Sequence, residues 1–220
     1  MSTETLVRST PTTRRRVGFV ALALAATALA ALPGGLLWPE PSGGGETYAY
    51  ADIQPHRALW WGLLVALAAN LIINVPAQAL LTVLLVRARG AAWATVGGVM
   101  MWIGTALYAV GVGGWAAAYY FATAAGVDPS VIDRINDDFA HVFGVLMPGS
   151  LLVALGTVIQ AVGLWRSGAV PRWIPILWLT IIATFIVPGN GVAGLVTAVP
   201  MTAASLGTAY YAYRAYRRTA

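Results

Sequence analysis

The stretch ALWWGLLVALAANLIINVPAQALLTVLLV, residues 58–86, decides the fold class of this chain. It runs for 29 residues without a charged side chain. A helix of about 20 apolar residues already crosses the ~30 Å hydrocarbon core of a bilayer. The stretch therefore predicts a transmembrane helix, although two asparagines, a glutamine and a proline interrupt its apolar character.

The composition of the whole chain agrees with this interpretation. Its 220 residues are 59% hydrophobic and 10% charged, with a mean hydropathy of +0.73. Soluble domains carry about 25% charged residues, so the bilayer is the natural solvent for this chain. The absence of cysteine excludes disulfides, thiolate metal sites and cysteine nucleophiles. We predict no metal site and no cofactor, and the sequence contains no recognisable catalytic motif.

Five further apolar runs extend this prediction to an all-α polytopic integral membrane protein with six transmembrane helices. Residues 1–16 form an N-terminal tail, 17–213 the transmembrane domain and 214–220 a basic tail. The first run resembles a signal peptide, but we interpret it as an uncleaved helix because more spans follow. The predicted spans cover about 17–38, 58–86, 91–124, 139–165, 173–187 and 191–213.

The charged residues alternate between the two sides of this topology. Eleven of the 13 basic residues, all arginines, fall on one side, and seven of the eight acidic residues fall on the other. By the positive-inside rule, both termini are cytoplasmic and the protein is a multi-pass protein of the cell inner (plasma) membrane. The rule also explains the pI near 9.9 without a nucleic-acid partner.

A polar stripe runs along the second predicted helix. Asn70, Asn74 and Gln78 are four residues apart and share one helix face. An amide near the membrane midplane must face other helices or an internal cavity, because lipid offers it no hydrogen bond. The stripe is therefore either a bonding surface between helices or the lining of a ligand cavity. Pro76 predicts a kink near Ile72.

The polar segment GVDPSVIDRINDD, residues 126–138, ends in the candidate catalytic residues Asp137 and Asp138. The third candidate, His141, follows three residues later, in the next predicted helix. Asp133, Asp137 and His141 would align on a continuous helix, while Asp138 and His141 form a rival pair three residues apart. A carboxylate beside an imidazole is suited to acid–base chemistry. The alternative is a solvated loop that sets the topology.

Glycines and aromatic residues mark the third helix. Gly97, Gly104 and Gly111 are seven apart, which predicts a helix-packing seam. The aromatic residues either face lipid or line a pocket for an apolar ligand. The candidate ligand-binding residues are Asn70, Asn74, Trp102, Tyr108 and Asn190. Pro148, about ten residues into the fourth predicted helix, is a candidate break in that helix.

The segments VLLVRARGAAWATVGGVMMWIGTALYAVG (83–111) and GLWRSGAVPRWIPILWL (163–179) carry a family resemblance. They resemble small six-helix bacterial integral membrane proteins that belong to a domain family of unknown function. The resemblance implies the same six-helix fold and a bacterial origin. It implies no catalytic or binding residues.

Two functions remain open from the sequence. The first is a non-enzymatic membrane protein whose partners are the lipid bilayer and a lipophilic small molecule, bound or moved in an intramembrane cavity near Asn70 and Asn74. The alternative is an intramembrane enzyme acting on an isoprenoid or lipid, such as a membrane-bound terpene cyclase that uses an acid and an aromatic pocket. The sequence predicts no oligomeric state.

Overall fold

The structure, a computed structural model, describes residues 11–42, 47–186 and 191–218, and its regular elements in these ranges are all helical. Two 3₁₀ helices, Gln54–His56 and Leu179–Phe185, continue short α-helices. In chain order the α-helices are α1 (Pro11–Leu37), α2 (Tyr50–Ile53), α3 (Arg57–Leu85), α4 (Ala91–Ala122), α5 (Ser130–Asp137), α6 (Phe139–Phe143), α7 (Leu146–Ser167), α8 (Trp173–Trp178) and α9 (Gly191–Arg218).

Five helices in the described ranges are long and apolar enough to cross a membrane: α1, α3, α4, α7 and α9. These correspond to five of the six predicted spans. The predicted span at 173–187 differs, because α8 gives way after six residues to the seven-residue 3₁₀ helix. Thr180 and Thr184 in this segment turn their hydroxyls onto carbonyl oxygens three residues back. Such local bonds accompany the tighter winding.

The predicted fourth span begins too early. Phe139 starts the separate short helix α6, and α7 begins only at Leu146. Pro148 consequently lies in the first turn of α7, where a missing backbone N–H leaves no intrahelical hydrogen bond broken. The prediction that Pro148 lies about ten residues into the fourth helix was therefore wrong.

Helix α1 runs antiparallel to α3 and α9, and the contacts among these helices define two ends of the bundle. At the arginine end, the start of α1 meets the ends of α3 and α9, where Val17, Leu81 and Tyr216 share one core cluster. At the acidic end, Glu40 follows α1 and its carboxylate lies against Gly191 at the start of α9. The start of α1 and the end of α9 therefore lie at the same end of the bundle.

The tightest packing in the bundle joins α4 to α7. A Cβ atom added at Gly97 would lie 2.5 Å from the Gly156 carbonyl oxygen, and one at Gly104 would lie 2.7 Å from that of Gly149. These backbones touch directly, as the seven-residue glycine spacing of α4 predicts. The same spacing recurs on the partner helix, in Gly149, Gly156 and Gly163.

Candidate functional site

The polar stripe of α3 is bonded to α1. The Asn70 amide donates to the Thr27 carbonyl oxygen at 2.8 Å, and the Asn74 amide donates to the Thr27 hydroxyl at 3.0 Å. The third member, Gln78, is buried. α3 continues through Pro76 as one helix. Asn70 and Asn74 thus connect two helices, which is the first of the two roles that the sequence left open.

A second amide, Gln160 of α7, ties three helices together. Its side-chain nitrogen donates to the Ala79 carbonyl oxygen of α3 at 3.2 Å and to the Ala94 carbonyl oxygen of α4 at 3.0 Å. Gln160 is 1% exposed. Its two hydrogen bonds show that polar contacts between helices extend beyond the Asn70–Asn74–Gln78 stripe.

The remaining candidate ligand-binding residues do not join Asn70 and Asn74. Trp102 is 58% exposed on the outer surface of α4. Tyr108 packs at the acidic end, against the core cluster that contains Val112 and Leu146. Asn190 lies outside the described residues. The described candidates are therefore spread over three different environments.

An aromatic cluster closes the acidic end. Trp60, 1% exposed, is its centre, and its ring centroid lies 4.5 Å from that of Tyr48 and 5.6 Å from that of Trp115. These edge-on contacts are favourable for aromatic rings. The Tyr119 hydroxyl donates to the Asn136 side-chain oxygen at 2.5 Å, and the Asn136 amide donates to the Tyr48 carbonyl oxygen at 3.0 Å. The cluster thereby holds α5 against the end of α4.

The candidate catalytic residues are exposed at the acidic end. Asp133 and Asp137 lie on α5, which ends at Asp137, so the continuous helix that would align them with His141 is not formed. His141 instead pairs with Asp138, at 2.7 Å between Nδ1 and the carboxylate. Both side chains face away from the bundle. In the part of the chain that the structure describes, no three histidine or acidic residues cluster as metal ligands.

The hydrogen bond between Asp138 and His141 shifts the pKa of both groups. It raises the pKa of the His141 imidazole above 6.5 and, through the same bond, lowers the pKa of the Asp138 carboxyl below 3.8. The pair is fully solvated, so it resembles a surface ion pair and not a desolvated acid–base site.

The arginine end holds a cleft with a volume of about 450 Å³. The cleft lies between the start of α1 and the end of α9, and we call it the arginine cleft. Ligand sites commonly occupy about 300–1,000 Å³. Its lining residues are Pro11, Arg14, Arg15, Gly18, Tyr213, Tyr216 and Arg217.

The charges around the arginine cleft are uncompensated within the described chain. Arg14, Arg15 and Arg217 contribute three positive charges to its wall, and the Arg87 guanidinium lies 4.9 Å from the centre of the Tyr216 ring behind it. All the acidic residues of the described ranges lie at the acidic end: Glu40, Asp52, Asp128, Asp133, Asp137 and Asp138. The side-chain Nε of Arg14 is buried without a hydrogen-bond partner among the described atoms.

Sequence reasoning missed the arginine cleft because it assigned the arginines to topology alone. Arg14 and Arg217 lie about 200 residues apart in the sequence, and only the antiparallel pairing of α1 with α9 brings them to one cleft. The alternation of tyrosine and arginine in YYAYRAYRR, residues 210–218, was the available signal. Rings and guanidinium groups at that spacing are typical of a surface that meets lipid headgroups.

A smaller apolar cleft of about 130 Å³ lies between α7 and α8, near the same end. It is lined by Ala161, Val162, Trp165, Pro175 and Leu179. The Arg172 guanidinium lies 5.2 Å from the centre of the Trp165 ring at its border. This cleft offers apolar surface without a buried polar group.

The chain was compared with protein-family models, curated proteins and solved structures, and none of them matches. The resemblance to small six-helix bacterial membrane proteins remains a prediction.

Proposed function

We propose that this chain is a plasma-membrane protein that crosses the bilayer six times, with both termini in the cytoplasm. The five long helices supply five crossings. The sixth is assigned to Trp173–Phe185, because α8 packs at the arginine end while α9 begins beside Glu40 at the acidic end. Six α-helical and seven 3₁₀ residues extend about 23 Å, so local thinning or flanking residues complete this crossing. Eleven of the 13 arginines then face the cytoplasm, in agreement with the positive-inside rule.

We further propose that the protein binds an amphipathic lipophilic molecule with an anionic head, and that it does so in the arginine cleft. The observation that carries this proposal is the 450 Å³ cleft with three arginines on its wall and no described acid at its end of the bundle. Basic pockets between transmembrane helices on the cytoplasmic side bind anionic lipid headgroups. The ligand therefore sits at the membrane surface, and the Asn70–Asn74 stripe connects helices.

The enzymatic alternative gains no support from this geometry. A terpene cyclase needs a proton donor beside an apolar pocket, whereas Asp137, Asp138 and His141 are exposed at the end opposite the arginine cleft. In the described chain, the side chains that line the arginine cleft carry guanidinium and phenol groups. These groups bind and orient an anion. We therefore propose binding without chemistry.

The topology is tested by labelling single cysteines, since the natural chain contains none. Thr219→Cys in the C-terminal tail should react with a membrane-impermeant maleimide only after intact cells are permeabilised. Ser42→Cys, after α1, should react without permeabilisation. Labelling of Thr219→Cys in intact cells would place the C-terminal tail outside the cell and would contradict the proposal.

Lipid binding is tested with two matched double variants. Arg15→Gln/Arg217→Gln removes two charges from the arginine cleft, and Arg89→Gln/Arg166→Gln removes two exposed charges elsewhere at the same end. Anionic phosphatidylglycerol, added to the purified protein in neutral detergent, should raise the unfolding temperature of the wild type and of the second variant. The first variant should lose most of this shift. Equal shifts in both variants would indicate nonspecific attraction and overturn the proposal.

A further inference from the structure

We infer that the arginine cleft takes a headgroup carrying two phosphate groups. This inference rests on the proposed function and names the ligand chemistry of the same site. It follows from the number and arrangement of the charges on the wall, from the size of the cleft and from the route that it leaves for an apolar tail.

The charge balance favours two phosphates over one. Arg14 and Arg15 come from α1 and Arg217 from α9, so guanidinium groups approach from two helices. Each guanidinium can hold one phosphate through two parallel hydrogen bonds. A single phosphodiester, with one negative charge, would leave two of these three positive charges uncompensated. Two phosphates neutralise the wall more closely, and Arg87 behind Tyr216 adds further positive potential.

The remaining lining suits the part of a lipid that joins head to tail. Tyr213 and Tyr216 present aromatic rings, and a Cβ at Gly18 would be 3.6 Å from the Tyr213 ring, an ordinary contact distance. Gly18 therefore leaves open the space beside the Tyr213 ring that a side chain would fill, and no backbone atom of α9 lies within 4 Å of that Cβ position. Phe19 and Leu22 follow it on α1 and are 74% and 68% exposed. They provide an apolar face along which an acyl or isoprenyl chain can enter the bilayer.

Two lipid classes share this headgroup chemistry. One is a dimeric glycerophospholipid, in which a glycerol joins two phosphodiesters, and the other is a diphosphate ester of an isoprenoid alcohol. Each class has a counterpart with one phosphate. The isoprenoid pair shares the same single chain, and phosphatidylglycerol has the same two acyl chains per phosphate as the dimeric lipid. Comparing the members of each pair therefore separates phosphate number from hydrophobicity.

The experiment measures the affinity of the full-length protein in neutral detergent for the two pairs. These are cardiolipin against phosphatidylglycerol, at equal total phosphate, and farnesyl diphosphate against farnesyl monophosphate. One additional phosphate–guanidinium contact corresponds to about tenfold in affinity. The member with two phosphates should bind about tenfold more tightly in at least one pair, and that pair identifies the lipid class. Arg217→Gln should reduce the ratio toward one.

The outcomes separate the two proposals. If both members of each pair bind equally well and Arg15→Gln/Arg217→Gln still weakens them, the cleft binds anionic lipids but the two-phosphate inference is wrong. If no probe binds, or if the cleft variants bind like the wild type, the proposed function fails as well.

A steric variant tests the location independently of charge. Gly18→Leu should fill the arginine cleft and weaken all bound probes at least tenfold. Gly62→Leu, at an α3 glycine with open space around it, should leave binding unchanged. Both variants should elute as the wild type does from a sizing column. If Gly18→Leu folds and retains full affinity, the ligand does not occupy this cleft.

Discussion

The side-chain amide of Asn74 donates a hydrogen bond to the hydroxyl of Thr27 at 3.0 Å, which joins α3 to α1 through two side chains. Asn70, one turn earlier, bonds instead to the backbone carbonyl oxygen of Thr27 at 2.8 Å. The two asparagines therefore depend on Thr27 in different ways. Substituting the threonine removes the acceptor of one asparagine and leaves that of the other in place.

A double-mutant cycle should resolve this difference. Asn74→Leu and Thr27→Val should each lower the free energy of unfolding, and together they should lower it by less than the sum of the single effects. The expected coupling is about 0.6–2 kcal/mol, the range for hydrogen bonds between membrane helices. Reversible unfolding in mixed micelles measures it.

The matched cycle of Asn70→Leu with Thr27→Val is the control. Because Asn70 uses the backbone, its effect should add to that of Thr27→Val with little coupling. Equal coupling in the two cycles would mean that the hydrogen bonds to Thr27 are arranged differently.

The glycine seam should reject even one methyl group. Gly97→Ala places a Cβ 2.5 Å from the Gly156 carbonyl oxygen, so α4 and α7 must move apart. We expect a loss of about 1–3 kcal/mol in the free energy of unfolding, as for overpacked cores. Gly113→Ala, on the same helix but with nothing within 4 Å of its Cβ, should be neutral or stabilising. A stable Gly97→Ala variant would disprove close contact at this seam.

Removing one hydroxyl should loosen the acidic end. Tyr119→Phe deletes the donor to Asn136 and should cost about 1 kcal/mol of stability. Hydrogen exchange should then accelerate in α5, which this bond holds against α4. Tyr120→Phe is the control, because the ring that lies 4.0 Å from the Arg57 guanidinium is retained. Unchanged exchange in α5 would show that Asn136 is held by its bond to Tyr48 alone.

The pairing of His141 with Asp138 predicts a definite pH dependence. The raised pKa of His141 means that the pair stabilises the folded state fully below about pH 6.5, and that this contribution is lost as the pH rises through the folded-state pKa. The lowered pKa of Asp138 gives the opposite limit, with stability lost as the pH falls through its folded-state value. The contribution is therefore greatest at mildly acidic pH.

Nuclear magnetic resonance titration of the His141 ring, in a His56→Gln background, measures this shift. Asp138→Asn should lower the pKa of His141 toward 6.5, whereas Asp137→Asn should leave it unchanged. The reverse result would favour the helical alignment of Asp137 with His141 that the sequence suggested.

The sequence predicted helix positions well where apolar length and turn residues mark them. α4 begins at Ala91, where Gly90 has a φ of 96° that favours glycine, and the predicted span starts at the same residue. The glycine seam was also predictable, because a seven-residue spacing places small side chains on one face. Its partner on α7 carries the same spacing, but Pro148–Gly149 suggested a helix break and hid it.

Features that depend on which helices become neighbours could not be predicted. The break between Asp137 and Phe139 decides whether His141 meets Asp137 or Asp138, and spacing alone allowed both pairings. The arginine cleft requires α1 and α9 to pair, and the Asn74–Thr27 bond requires α1 and α3 to do so. No periodicity within a single helix contains that information.

The contact between α4 and α7 also limits how the bundle can deform. The backbones of α4 and α7 are so close that a methyl group at Gly97 or Gly104 would not fit between them. Sliding or separating the two helices would therefore break the contact along its whole length. We therefore expect α4 and α7 to move together as one unit. The arginine cleft lies between α1 and α9, outside this pair, so we expect a lipid bound there to leave the contact between α4 and α7 unchanged.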